Sequence, residues 1–409
     1  MRKVILIKLL MFTFVIAIGQ DAKFLKRGFE SFIVHNQIEF RICQSENNII
    51  SLHYILHDSI DNNTSSITIP PIVKYNNTDY IVKYIDDYGL YSKCKLYLPN
   101  TIEVIGIPAY TKGSPQPINK LFSNEELKSK PWTLQIPSSV SYINSESLKH
   151  LNLISIEVEK ENKAYCSING IIYNKTVTEL TLIPKFYKKQ INFPPTVKII
   201  GPYAFYGSQK IKTVKIPSTI NKIGNGAFAY SSIKKIDLPS SLDSIGEKAF
   251  SGSKIKEISI PSSVKYLGGS MFSSCSRLKK CILPSSIKII PEYFFEDCQQ
   301  IKSITLPMGI QNIERYAFNG CINLKRINLP DSLLIIGKNA FRHCSKITHI
   351  DLPNKLKFIG QDAFTECTSL KSINLPQSIE NTDQEWFKHL DMRHPCCGED
   401  KHEFSAPVF

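Results

Sequence analysis

A chain of 409 residues that is 42% hydrophobic, with 22 Phe and 18 Tyr, can bury a large core, which excludes a wholly disordered protein. Its 50 Lys and Arg against 36 Asp and Glu give a formal charge of +14, which favours anionic partners. Length alone allows two or three ordinary domains, but a repeating sequence can make one elongated body of any length, so repeats are sought first.

Arg2, Lys3 and Lys8 precede or border an apolar run from Leu9 to Ile18, and Ala17-Ile18-Gly19 puts small residues where a signal peptidase cuts. Residues 1–19 are therefore read as a signal peptide, leaving a mature chain that begins near Gln20. Loss of those three cations takes the charge from +14 to near +11. Gln20, Asp21 and Lys23 stop the run short of the ~20 apolar residues that a membrane span needs. No later stretch is apolar enough to cross a bilayer, and residues 398–409 lack the hydrophobic tail of a lipid-anchor signal. The expectation is a secreted protein, released or retained at the cell surface, and export disfavours nucleic acid as a partner. Asn62, Asn63, Asn76 and Asn174 each begin an Asn-x-Thr/Ser triplet and are candidate glycosylation sites.

Residues 20–66 are read as a β-rich N-terminal cap and 67–193 as degenerate repeats with loop and hairpin insertions. In the latter, Ile69-Pro70 leads to Tyr75, Tyr80-Ile81-Val82 and Ile85. Ile105-Gly106 leads to Ala109-Tyr110, and Ile136-Pro137 to Ile143 and Leu148, with a loop at 111–130 between them. From 194 to 387 the pattern becomes regular. Pro194, Pro217, Pro239, Pro261, Pro284, Pro307, Pro330, Pro353 and Pro376 follow one another at steps of 22 or 23. Phe205, Phe228, Phe250, Phe272, Phe295, Phe318, Phe341, Phe364 and Phe387 keep the same step. A unit this short cannot bury its own Leu, Ile and Phe, so these positions must share a core made by stacking coils. Within Leu324-x-x-Ile327-x-Leu329 the alternation is that of a short strand, and Pro330, lacking an N–H, ends it. Stacked strands predict a parallel sheet on one face. Ile336-Gly337 is read as the next bend, and Ala340-Phe341 as a short helical or irregular turn opposite, where Ala is small because backbones press together. Residues 388–409 are read as a C-terminal cap or tail.

This pattern resembles the BspA-like leucine-rich repeat, a 23-residue class of secreted and surface proteins. Asn162-x-x-Tyr165-x-Ser167-x-x-Gly170-Ile171-Ile172-Tyr173 is similar to the hairpin-bearing repeat that such proteins insert. The resemblance implies a leucine-rich-repeat solenoid with a small N-terminal cap, and a role in adhesion to host matrix or to other cells, with no catalytic centre and no cofactor.

Cys275, Cys298, Cys321, Cys344 and Cys367 stand three residues after the Phe in successive units, where Ser208, Ser231 and Ser253 stand in earlier ones. Ser and Cys share small size and hydrogen bonding, so buried structural thiols are expected, although coil spacing of ~4.8 Å leaves disulfides open. Cys281 takes an inward strand place. In the tail, His394, Cys396, Cys397 and His402, with His389 nearby, match no paired zinc-ligand spacing. No Gly-x-Ser-x-Gly, phosphate loop or His-Glu-x-x-His occurs. Lys212, Lys234, Lys256, Lys279, Lys302, Lys325 and Lys371 each follow the first apolar residue of a unit, a series broken at Thr348. Candidate ligand-binding residues are Lys256, Lys279, Lys280, Lys302, Lys325 and Arg326, with the outward residues Ser303, Thr305, Asn328 and His349; the partner expected is an extracellular protein or an anionic glycan. The alternative for the lysines is a solvated rim that guards a long sheet. The alternatives for the chain are a self-associating cell-coat component, or a hydrolase with its site in the irregular N-terminal part.

Overall fold

The computed structural model describes residues 14–16, 22–27, 30–35, 38–42, 48–55, 66–86, 95–107, 131–379, 381–382 and 391–393. Most of the expected leader, Asn62, Asn63, the 111–130 loop with Ala109 and Tyr110, and the His and Cys residues of the tail lie outside them. The chain divides into two compact units, Met1–Tyr187 and Lys188–Phe409.

In the first unit, pairing is antiparallel from Phe14–Ile16 through Ala22–Arg27, Glu30–His35 and Ile38–Ile42 to Ile49–Ile55. It then becomes parallel, from Ile49–Ile55 to Thr78–Asp86, Val104–Ile107 and Tyr142–Ile143. The change marks where chain reversal by short turns gives way to coiling, since parallel neighbours need a long connection. Phe40, Ile50, Leu52, Val82, Ile85, Ile105, Leu134, Ile136 and Ile156 form a continuous buried core beneath these strands. Tyr165–Ile168 and Ile171–Asn174 make an antiparallel hairpin around Asn169-Gly170, both left-handed (φ 53° and 83°), as the tight turn whose twist matches the strands requires. Buried Asn162 fixes its base. The Asn162 side-chain amide donates to the Pro137 and Val140 carbonyls, both at 2.8 Å, and its oxygen accepts from the Ala164 and Tyr165 N–H groups.

The second unit is a parallel β-solenoid. Its first ladder is interrupted and pairs two by two, Thr213–Lys215 with Lys235–Asp237, Glu257–Ser259 with Lys280–Ile282 and Ser303–Thr305 with Arg326–Asn328, followed by Ser372–Asn374, each a three-residue strand whose central residue is buried. Asp391–Arg393 pairs in parallel with the last of these. The bend expected at Ile336-Gly337 is in fact part of a second ladder of two-residue strands in two stretches, Ile199–Ile200, Lys222–Ile223, Ser244–Ile245 and Tyr266–Leu267, then Ile289–Ile290, Asn312–Ile313, Ile335–Ile336 and Phe358–Ile359. Pairs such as Asn312↔Ile335 and Ile335↔Phe358 are parallel and unshifted. Two residues are too few for a period-two pattern to declare itself in sequence.

The Ala-Phe segment is an irregular turn without helix, and it too is hydrogen-bonded from coil to coil. Tyr203, Phe205 and Gly207 N–H groups donate to the Asn225, Ala227 and Ala229 carbonyls at 2.9, 2.6 and 2.9 Å. Alternate N–H groups reach the next coil because Tyr203 and Gly207 adopt left-handed φ of 56° and 60°, so that buried backbone is satisfied without a helix. The Phe rings stack behind it, with centroids 5.4 Å apart for Phe228 and Phe250, 5.3 Å for Phe295 and Phe318, 5.2 Å for Phe318 and Phe341, and 5.4 Å for Phe341 and Phe364. The small residue expected before each Phe is not always present: Met271 and Phe294 fill that place, fully buried, and the Phe294 ring stands at 89° to both Phe272 and Phe295. An edge-on ring occupies space between two face-on ones, so the core accepts it. True close approach lies instead at the glycine after the second ladder, where a Cβ on Gly337 would sit 2.7 Å from the Arg315 nitrogen.

Cys275, Cys298, Cys321, Cys344 and Cys367 are buried free thiols. Buried Cys281 and half-buried Cys166 are also free. Each of the five repeat cysteines donates its S–H to the carbonyl of a Phe from an earlier coil, Phe250, Phe272, Phe295, Phe318 and Phe341 respectively, at 3.0 to 3.2 Å. Burial pushes the Cys275 thiol up to about 11 and the Cys367 thiol up to about 12.

Candidate ligand-binding face

The first ladder sets the geometry of the lysine series. A strand of three residues buries its centre and exposes both ends, and the residue before the strand is exposed as well because the chain is turning there. Lys256, Lys279, Lys302 and Lys325 occupy that preceding position, and all four are exposed. Their backbones are themselves bonded between coils: Lys234 N–H donates to Lys212 O at 2.7 Å, Lys256 to Lys234 at 3.3 Å, Lys279 to Lys256 at 2.8 Å and Lys325 to Lys302 at 2.9 Å. The side chains thus start from two bonded stretches, Lys212 to Lys279 and Lys302 to Lys325, within which they repeat at the ~4.8 Å of neighbouring strands.

On the strands, Lys280 stands opposite Glu257, Arg326 opposite Ser303, and Asn328 opposite Thr305, and every one of these residues is exposed. Lys280 therefore has a carboxylate at its partner position, whereas Arg326 has a hydroxyl. His349 differs from the expectation: residues 347–352 form no strand, so it is an exposed residue beside an interruption in the ladder. Its Nε2 lies 2.7 Å from Asp351 Oδ1, across the buried Ile350.

The candidate residues lie in the middle of the lysine series, yet positive charge also gathers at its start. The Lys212 ammonium is lowered from its ordinary pKa by partial desolvation and then by the charges of Lys254, Lys234 and Lys210. Lys254 and Lys210 lie outside the one-per-coil ladder, which is why spacing did not reveal them. Lys212 Nζ donates to the Gln209 carbonyl at 2.6 Å, while Asp237, on a neighbouring strand, is paired with Lys235 at 3.9 Å. Among the described residues no group of three His, Cys, Asp or Glu is placed to hold a metal ion. Of the candidate glycosylation sites, Asn76 is exposed at a hairpin turn, while Asn174 is half-buried and its amide donates to Thr178 Oγ1 at 2.8 Å.

Residues 185–302 and 288–409 match the family model described as a BspA type leucine rich repeat region, in six copies. The chain belongs to this family. Among solved structures, a leucine-rich repeat protein from Eubacterium ventriosum is similar, with a TM-score of 0.50 at 20% identity over 86% of this chain and 98% of that one. A leucine-rich repeat protein from Bacteroides ovatus gives a TM-score of 0.46 at 22% identity, covering 88% of this chain and 99% of that one. A leucine rich cell surface protein from Faecalibacterium prausnitzii gives 0.43 at 20% identity, covering 87% and 85%. No curated protein matches the chain. At 20% identity the likeness to the first of these structures shows the fold, a leucine-rich-repeat solenoid. No helix among the described residues is long and apolar enough to cross a membrane.

Proposed function

We propose that this chain is an extracellular binding protein, secreted after removal of residues 1–19, that displays the lysine face of its solenoid to an anionic glycan on a matrix or cell surface. The observation that carries the reading is the series of exposed lysines, Lys212 to Lys325, in which coil-to-coil backbone bonds link Lys212 through Lys279 and, separately, Lys302 to Lys325. Charges ~4.8 Å apart lie within the Debye length of ~8 Å at physiological salt, so their potentials merge into one track. A flexible polyanion lying along the coils meets several ammonium groups together, and exposed lysines accept it without disruption of the core. Arg326, Ser303, Thr305 and Asn328 border the track with hydrogen-bond donors that suit sulfate or hydroxyl oxygens.

The test is retention on a heparin column against rising salt for the wild type and for the combined Lys256→Glu, Lys279→Glu, Lys302→Glu, Lys325→Glu variant, with thermal melts to check folding. The variant should elute at much lower salt with an unchanged melt. Equal elution would make the lysines a solvated rim and turn the search for a ligand toward Ser303, Thr305, Asn328 and His349.

A further inference from the structure

The second ladder of the solenoid carries a surface that the lysine track does not explain. Over five coils, its outward position reads Tyr266, Ile289, Asn312, Ile335 and Phe358, and the position just before reads Lys265, Lys288, Gln311, Leu334 and Lys357. Tyr266, Ile289 and Phe358 are 55%, 45% and 36% exposed, although each is a large apolar residue. All three lysines are exposed, and within these five coils neither row contains an acid, the exposed Asp243 standing one coil before Lys265. The carboxylates that follow on the other side are engaged: Glu292 is bonded to Arg315 at 2.8 Å, and Glu314 accepts from Asn312 at 3.2 Å. The result is an apolar ridge with a cationic border.

The geometry points to an anionic lipid surface as the occupant of this ridge. Ladder pairs Ile289↔Asn312, Asn312↔Ile335 and Ile335↔Phe358 are unshifted, so the side chains from Ile289 to Phe358 rise to one height and make a flat row rather than a groove with pockets, and Tyr266 stands at the end of the preceding stretch. A peptide cannot join as an added strand, because the backbone is already bonded from coil to coil: Gln311 N–H donates to Lys288 O at 2.7 Å, Leu334 to Gln311 at 2.8 Å and Lys357 to Leu334 at 2.9 Å. What remains for a partner is side-chain contact alone, spread along a paired stretch from Ile289 to Phe358 about 14 Å long at ~4.8 Å per coil, with Tyr266 beyond its end. Tyr, Ile and Phe settle at the level of the headgroups and upper acyl chains, while Lys265, Lys288 and Lys357 extend to lipid phosphates and carboxylates. This surface is separate from the glycan track and does not depend on it.

The experiment is sedimentation of the full chain with vesicles of phosphatidylcholine alone or mixed with phosphatidylserine. The wild type should bind the mixed vesicles and not the neutral ones. A Tyr266→Ser, Ile289→Ser, Phe358→Ser variant should lose at least about tenfold in partitioning, and a Lys265→Gln, Lys288→Gln, Lys357→Gln variant should lose binding as well. The Lys256→Glu, Lys279→Glu, Lys302→Glu, Lys325→Glu variant should still bind, which separates this ridge from general attraction by a basic protein. These side chains are exposed, and unchanged melts show that each variant is folded. Undiminished binding by the serine variant, failure of the wild type to bind, or loss of binding by the glutamate variant would each overturn the proposal.

Discussion

Replacing Phe318 by Ala removes one ring from the middle of the stacked row. That ring is fully buried, with Phe295 at 5.3 Å on one side and Phe341 at 5.2 Å on the other. A buried aromatic side chain covers ~150–250 Å², which at ~25 cal/mol/Å² corresponds to roughly 4–6 kcal/mol as an upper bound, since an unfolded chain already hides part of that area. Phe→Ala changes in cores cost about 3–5 kcal/mol, depending on how far the site collapses. Collapse is restricted here because the backbone is pinned on both flanks: Phe318 N–H donates to Ala340 O at 2.8 Å and Phe295 N–H to Ala317 O at 2.7 Å. The expected loss is therefore toward the top of the range, about 4–5 kcal/mol. Guanidinium unfolding followed by far-ultraviolet circular dichroism reads it, with Lys325→Ala as an exposed control that should stay within about 0.5 kcal/mol. A loss below about 1 kcal/mol for Phe318→Ala, or one equal to the control, would refute a shared core built on the ring stack.

The buried thiols give a pH dependence with a defined sign. Cys275 and Cys367 keep their protons up to about 11 and about 12 when folded, against an ordinary value of 9.0, so unfolding releases protons above pH 9. Their contribution is intact below that point and is lost as pH rises toward 11 to 12. Unfolding midpoints should fall across this window, and less so in a Cys275→Ser, Cys367→Ser variant; a parallel pH profile for the two proteins would contradict the assignment. For export, mass spectrometry of protein collected from the medium of a secreting host should find Gln20 at or near the N-terminus, whereas an intact Met1 in the membrane fraction would argue for an anchor.

The repeat is legible in the sequence because two residue types obey one step: a Pro that ends each first-ladder strand and a Phe that fills each coil. Position within the unit then tells which side chains are exposed, and the lysines at 256, 279, 302 and 325 are so. The second ladder is hidden by brevity, since Ile335–Ile336 holds one outward and one inward residue and the following Gly337 reads as a bend. Its apolar ridge is hidden for the same reason, because Tyr266 and Phe358 look like core residues in a sequence where most repeat aromatics are buried. Lys210 and Lys254 escape detection because their place, two residues before Lys212 and Lys256, holds Ser232 in the coil between them and so shows no unbroken series. The exchange of Ala for Met271 and Phe294 shows a place that sequence reads as sterically closed but that an edge-on ring can enter.

Whether the lysines act as one track is tested most directly by the affinity of sulfated glycan fragments of graded length. From Lys256 to Lys325 there are three coil steps, about 14 Å at ~4.8 Å each. Affinity measured by titration calorimetry should climb with each added sugar until a fragment spans that distance and then rise only slowly, and the climb should flatten as salt is added. A disaccharide that binds as tightly as a long chain would contradict the account, because it would place the ligand in one local site and leave the ladder without a role.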